Sequence, residues 1–133
     1  MAMQHTPLLM SNIIDRGARV APNEEVVTLT ESGVRRQSYK ETRDRAHQLA
    51  HALAGAGIGI GDRVGTFMWN GSRHLEAYHA CAGMGAVLHT LNIRLSERDL
   101  EYIINHARSG KRLQRLLQCL RASISSSEPR RFL

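Results

Sequence analysis

Few residues of this 133-residue chain have the type and spacing for chemistry, chiefly seven histidines, two cysteines and one glycine-rich run. The run places Gly55, Gly57, Gly59 and Gly61 at alternate positions, dense enough for a phosphate-cradling loop. A dinucleotide fingerprint, G-x-G-x-x-G, needs a further glycine where Ile60 or Asp62 stands. The run also leaves a helical pattern and leads into a strand-like one. That is the reverse of the strand-to-helix order that aims a helix N-terminus at phosphate. It reads as a helix C-cap and turn. His47 and His51, four apart, have the spacing to share a zinc, but no third ligand follows at motif distance. Their neighbours Arg43, Arg45 and Gln48 suggest a solvated face, so surface histidines are expected. His74 and His79 are five apart and do not align on one helix face. His89 closes a strand pattern and is read as structural. Cys81, set among Ala80, Ala82 and Gly83, reads as a small buried thiol rather than an activated one. Trp69 and Asn70 end a strand, where ligands gather in open α/β sheets, yet Asn70 fits a turn former better. On this evidence the chain carries no catalytic, cofactor-binding or metal-binding residue.

The elements that must position these residues alternate between helix and strand. Ser11 is placed to cap a helix to Ala21, with Ile13, Ile14, Ala18 and Ala21 on one stripe. Residues 26–30 are strand-like, Glu31, Ser32 and Gly33 turn the chain, and a second short strand spans 34–37. Ser38 and Glu41 form a capping box for a helix carrying Ala46, Leu49, Ala50, Leu53 and Ala54 at helical spacing. A buried strand is expected over 64–69, and Asn70 with Gly71 turns the chain out of it. Ser72 then caps a helix to about Met84, and a short strand covers 86–90. Ser96 with Asp99 caps a last helix through about Ala107. Such alternation is the pattern of a parallel sheet with helices packed on it, and that sheet needs cover on both faces. About a hundred residues supply only two or three of its parallel strands, so the fold expected is an incomplete α/β domain.

Composition bounds the rest. At 42% hydrophobic and 23% charged the chain is neither disordered throughout nor membrane-spanning, and its N-terminus lacks a secretory pattern. Cys81 and Cys119 are too few for a disulfide scaffold, so a cytoplasmic address is expected. The net charge of +6 would suggest nucleic acid or acidic lipid, but it is unevenly placed. Residues 1–107 balance eleven basic against eleven acidic groups, whereas 108–133 hold seven basic residues and only Glu128. In that tail Leu113, Leu116, Leu117 and Leu120 have the spacing of a basic amphipathic helix.

The run Gly61, Asp62, Arg63, Val64, Gly65, Thr66, Phe67, Met68, Trp69, Asn70 resembles the GDRV…WN strand of adenylate-forming enzymes, specifically the fatty-acyl-CoA ligases. The similarity continues through Arg73, His74, Leu75 and Glu76 into the stretch from Gly83 to Asn92, and on to Asn105, His106 and Ala107. Ser38 to Glu41 and the text leading into Val64 are similar too. It is closest to the medium- and long-chain fatty-acid ligases, covers about Pro7 to Ala107, and departs at Ile93, where the family favours proline. After Ala107 it stops within a residue. The resemblance implies that residues 1–107 are the N-terminal part of an AMP-binding (acyl-CoA ligase) large domain. Residues 108–133 are expected to be an unrelated basic tail, helical or disordered, read out of frame.

What such a ligase does follows from the family. It joins ATP and a fatty acid into an acyl-adenylate with Mg²⁺, then transfers the acyl group to the thiol of CoA. The phosphate loop with its lysine, the magnesium-binding acid, the ribose-binding aspartate and the mobile lysine of that family do not occur here. The serines 125–127 lack the loop's glycines. ATP, Mg²⁺ and CoA are therefore expected for the full-length family and none for this fragment, which should be inactive alone. Partners expected are fatty acid and CoA for the whole enzyme, no nucleic acid, and either aggregation or docking on a full-length ligase. The alternative from another class is a small basic module that contacts nucleic acid or acidic membrane through its tail.

Overall fold

The computed structural model describes residues 9–107; the leucine stripe, Cys119 and the rest of 108–133 lie outside the described residues. Eight elements follow in order: α1 (Met10–Val20), β1 (Glu25–Thr30), β2 (Gly33–Ser38), α2 (Tyr39–Gly55), β3 (Arg63–Thr66), α3 (Ser72–Gly83), β4 (Val87–Thr90) and α4 (Glu97–His106). β1 and β2 form an antiparallel hairpin with Glu25 opposite Ser38 and Thr30 opposite Gly33. β3 and β4 pair in parallel, with Val64 beside Leu88 and Thr66 beside Thr90, and α3 is the crossover between them. The expected α/β alternation is what the chain adopts.

The two helices that precede the parallel strands end in the same way. At the end of α2, Ile58 N–H donates to Leu53 C=O at 3.0 Å and Gly57 N–H to Ala54 C=O at 2.9 Å. At the end of α3, Ala86 N–H donates to Cys81 C=O at 2.9 Å and Gly85 N–H to Ala82 C=O at 3.3 Å. Both are Schellman motifs, and Gly57 and Gly85 hold the left-handed position at φ 85° and 76°. Each motif packs its outer residue on the helix it ends: Leu53 with Ile58, and Cys81 with Ala86, are core residues around Val64. The two ends lie side by side, because Gly61 N–H donates to Gly85 C=O and Val87 N–H to Asp62 C=O. Parallel strands leave this junction in register.

Helix starts are less uniform. Ser38 Oγ accepts from Glu41 N–H at 3.1 Å and Ser96 Oγ from Asp99 N–H at 3.2 Å, as the capping patterns predict. Ser11 and Ser72 do not cap. The N-cap of α1 is Leu9, and Ser11 sits inside the first turn facing Gly83 of α3. The N-cap of α3 is Gly71, and the first N–H, that of Ser72, is taken instead by the Thr28 hydroxyl of β1 at 3.0 Å. The predicted strand 64–69 is also too long. Its last rung is Leu91 N–H donating to Thr66 C=O, after which β4 offers no partner and Phe67 and Trp69 stand exposed. On α1 only Ile14 and Ala18 are buried, while Ile13 points to solvent; on α2 the buried stripe is Thr42, Ala46 and Leu53, with Ala54 outside.

A polar core joins the hairpin to the helices. Glu76 on α3 is buried, and Gln37 of β2 donates to its Oε1 at 2.8 Å. Arg45 of α2 donates from Nε to Oε1 at 2.7 Å and from Nη2 to Oε2 at 3.3 Å. Gln37 also donates to Thr42 Oγ1, which donates to Ser38 C=O at 2.8 Å. Truncating the carboxylate takes the acceptor from the buried Gln37 amide and from the Arg45 guanidinium that reaches in from the boundary with solvent. Glu76→Ala is expected to lower unfolding free energy by about 2 kcal/mol, the range for hydrogen bonds to a charged group, as measured by urea denaturation. A loss of under about 0.5 kcal/mol, ordinary for a surface change, would show that the network does not join these elements.

Candidate functional site

The C-terminal ends of β3 and β4 are where an open α/β sheet offers a site. Thr66 ends β3, and its hydroxyl lies 3.1 Å from His74 Nε2. His74 Nδ1 lies 3.2 Å from Asn70 Oδ1. The amide oxygen only accepts, so Nδ1 carries the ring proton and Nε2 accepts from Thr66. Asn70 therefore serves the turn and the helix start, as its sequence context suggested, and His74 is a satisfied core residue. Trp69 stands exposed beside this turn with the Arg94 guanidinium 5.9 Å from its ring centroid.

The glycine-rich run is the helix end and turn expected. Asp62 turns its carboxylate back on the run and accepts from Gly59 N–H at 2.8 Å. A carboxylate already fills the place an anion would take, so the run does not fit a nucleotide phosphate. Among the described residues no three His, Cys, Asp or Glu side chains are grouped to hold a metal ion. No chemical step is assigned to these residues.

The other histidines separate as the spacing predicts. His47 is exposed, with Nε2 3.5 Å from Asp15 Oδ1, and His51 is exposed one turn on. They line a cavity of about 190 Å³ with Ser11, Ile14, His79 and Met84, among others, between α1, α2 and α3. His74 faces the sheet and His79 faces α1, and both are buried because α3 is packed on two sides. Arg45, read from sequence as part of a solvated face, instead reaches inward to Glu76, which holds its pKa above the ordinary value. His89 lies in β4 beside Gly65, and its Nδ1 is buried without a hydrogen-bond partner among the described residues. Cys81 is fully buried, and desolvation pushes its thiol up to about 11. It is not a nucleophile at neutral pH.

Sequence reasoning missed Glu76 and its partners. The available signal was an acid at helical spacing with His79 and Ala80 on a helix otherwise rich in small residues.

Burial lowers the pKa of both His74 and His79; for His79 desolvation outweighs the Met10 backbone and the nearby Asp15. A depressed folded pKa means that the unfolded chain binds protons first. Stability is therefore complete above the ordinary histidine value of about 6.5 and is lost as pH falls below it toward the lowered values. Urea unfolding between pH 8 and pH 5 is expected to show this decline, and His79→Gln to flatten it. An unchanged midpoint across that window would contradict the burial of both rings.

With the geometry in place, the relatives are informative. The family described as "AMP-binding enzyme" matches residues 14–122. The chain is 45% identical over 106 residues to a long-chain-fatty-acid–CoA ligase of Thermus thermophilus, covering 79% of this chain and 20% of that protein. It is 42% identical over 106 residues to a medium-chain-fatty-acid–CoA ligase of Ectopseudomonas oleovorans, covering 79% and 19%. The structure superposes on the N-terminal domain of FACL13 from Mycobacterium tuberculosis with a TM-score of 0.68 and 25% identity, covering 74% of this chain and 25% of that one. The chain thus spans about a fifth of the length of the curated relatives it matches. With most of its length matched and its α/β order shared, the chain belongs to the AMP-binding enzyme family.

Proposed function

We propose that this chain is scaffold from a fatty-acid–CoA ligase, the enzyme class that activates a fatty acid with ATP and Mg²⁺ and passes the acyl group to CoA. The observation that carries the reading is 42–45% identity, over 106 residues, to ligases of long- and medium-chain fatty acids. The chain's contribution is mechanical: the β3–α3–β4 unit and its hairpin brace supply a rigid flank, and the reacting groups belong to other parts of the enzyme. By itself the chain is inactive. The address we propose is cytoplasmic; among the described residues no helix is long and apolar enough to cross a membrane.

A chimera tests the assignment. Residues 9–107 replace the matched segment of the Thermus thermophilus ligase, and carboxylate-dependent ATP–pyrophosphate exchange and acyl-CoA formation are measured. The chimera is expected to keep activity within about tenfold of the parent, which is about 1.4 kcal/mol in the barrier, while the 133-residue chain alone shows none. A soluble but inactive chimera, or clear exchange by the chain alone, would overturn the assignment.

We further propose that residues 1–107 form the family part and that residues 108–133 are translated out of frame. Support comes from the basic excess confined to the tail and the abrupt change in composition there. The family match runs past that boundary to residue 122, so a diverged continuation is the competing account. Translating the coding DNA in the other two frames after codon 107 is expected to restore an acidic, strand-forming continuation. Absence of one in both frames removes the frameshift.

A further inference from the structure

Asn70 stands where the chain leaves β3 for α3, and the next residue, Gly71, is the N-cap of that helix. Of the asparagines Asn12, Asn23, Asn70, Asn92 and Asn105, Asn70 alone precedes a glycine. Asparagine is thermolabile because the following backbone nitrogen can attack its side-chain carbonyl carbon, and a side chain on the attacking residue obstructs that approach. Gly71 offers no obstruction, and its N–H has no hydrogen-bond partner among the described residues. Asn70 is exposed, so water reaches it. Its Oδ1 accepts from His74 Nδ1–H at 3.2 Å, which sets a donor on the oxygen where negative charge develops during the attack. The glycine itself is fixed by packing. A Cβ at position 71 would stand 2.9 Å from Thr28 Cγ2, and Thr28 is held there by its hydroxyl on Ser72 N–H. The contact that satisfies the start of α3 therefore demands the neighbour that leaves Asn70 unprotected.

We propose that Asn70 and Gly71 form a site of spontaneous covalent modification, at which the start of α3 deamidates in the folded protein. The Gly71 nitrogen gives up its proton and bonds to Asn70 Cγ. The Cγ–Nδ2 bond breaks, and Nδ2 leaves with that proton as ammonia. Water then opens the cyclic imide at either carbonyl, giving aspartate or isoaspartate with no change of oxidation state. In the isoaspartate form the main chain runs through Cβ and Cγ. The path from β3 to α3 is then longer by a methylene, and the oxygen that held His74 belongs to the backbone. The tie between Thr66, His74 and Asn70 is loosened at the point where strand passes to helix. The reaction is independent of the ligase assignment.

The full chain, shown to be folded by a cooperative loss of circular dichroism in urea, is incubated at mildly alkaline pH beside the same chain kept in urea. Peptide mapping and labelling by an isoaspartyl methyltransferase follow position 70. Conversion in the folded chain is expected within about tenfold of the unfolded rate, while the other four asparagines stay unmodified over that time. Thr28→Ser combined with Gly71→Ala removes Cγ2, keeps the hydroxyl and makes room for the new methyl group. The folded double variant is expected to convert at least about tenfold more slowly. The separated isoaspartate form is expected to unfold at lower urea than the unmodified chain. Folded-state conversion more than about tenfold slower than in urea, equal conversion by the folded double variant, equal reaction at another asparagine, or an unchanged urea midpoint would overturn the proposal. So would a chain with no cooperative transition, since Asn70 would then react as in any unfolded peptide.

Discussion

A buried carboxylate is the constraint on which the rest of this structure depends. Glu76 has a side chain only 6% exposed, and an ionised acid at that depth is tolerated only when its oxygens are occupied. The partners come from two other elements, Gln37 on the hairpin and Arg45 on α2, while Glu76 itself lies on α3. Satisfying the charge therefore fixes how these elements sit relative to one another. Arg45 keeps its side chain 38% exposed, so the pair straddles the boundary between core and solvent. This relieves part of the desolvation that a wholly buried pair would suffer. The Thr28 hydroxyl on Ser72 N–H adds a second tie between the same hairpin and the same helix.

Against that brace, the apolar core does a different job. Leu53, Ile58, Cys81 and Ala86 are the packing residues of two adjacent Schellman ends, and Val64 lies between them. Helix termination and strand initiation are thus one event repeated twice. The tight approach leaves little freedom: a Cβ at Gly85 would stand 3.2 Å from Ile60 Cγ1. The result is a precise platform, whose residues position neighbours rather than react.

Local signals in the sequence were the ones that could be read. The capping patterns at Ser38 and Ser96, the apolar spacing of Ala46 and Leu53, and the order of helix, glycine run and strand all depend on residues a few positions apart, and each holds. What misled were features decided at a distance. Ser72 looked like a cap, but Thr28, far earlier in the chain, supplies the hydroxyl. The strand through Trp69 looked continuous, but its length is set by β4, which ends at Thr90. Arg45 looked solvated because its local neighbours are polar, and its partner lies on another helix. The candidate site was legible mainly by exclusion: the direction of the glycine run argued against phosphate before Asp62 was seen turned onto Gly59.

Cys81 gives this architecture a reporter of its own. Its thiol is fully shielded, its ionisation is pushed up to about 11, and its carbonyl is the anchor of the Schellman motif that ends α3. An alkylating reagent can reach that sulfur only when α3 parts from the sheet. In a chain whose Cys119 is replaced by serine, the modification rate would measure how often the platform breathes, on the timescale of local opening rather than of global unfolding.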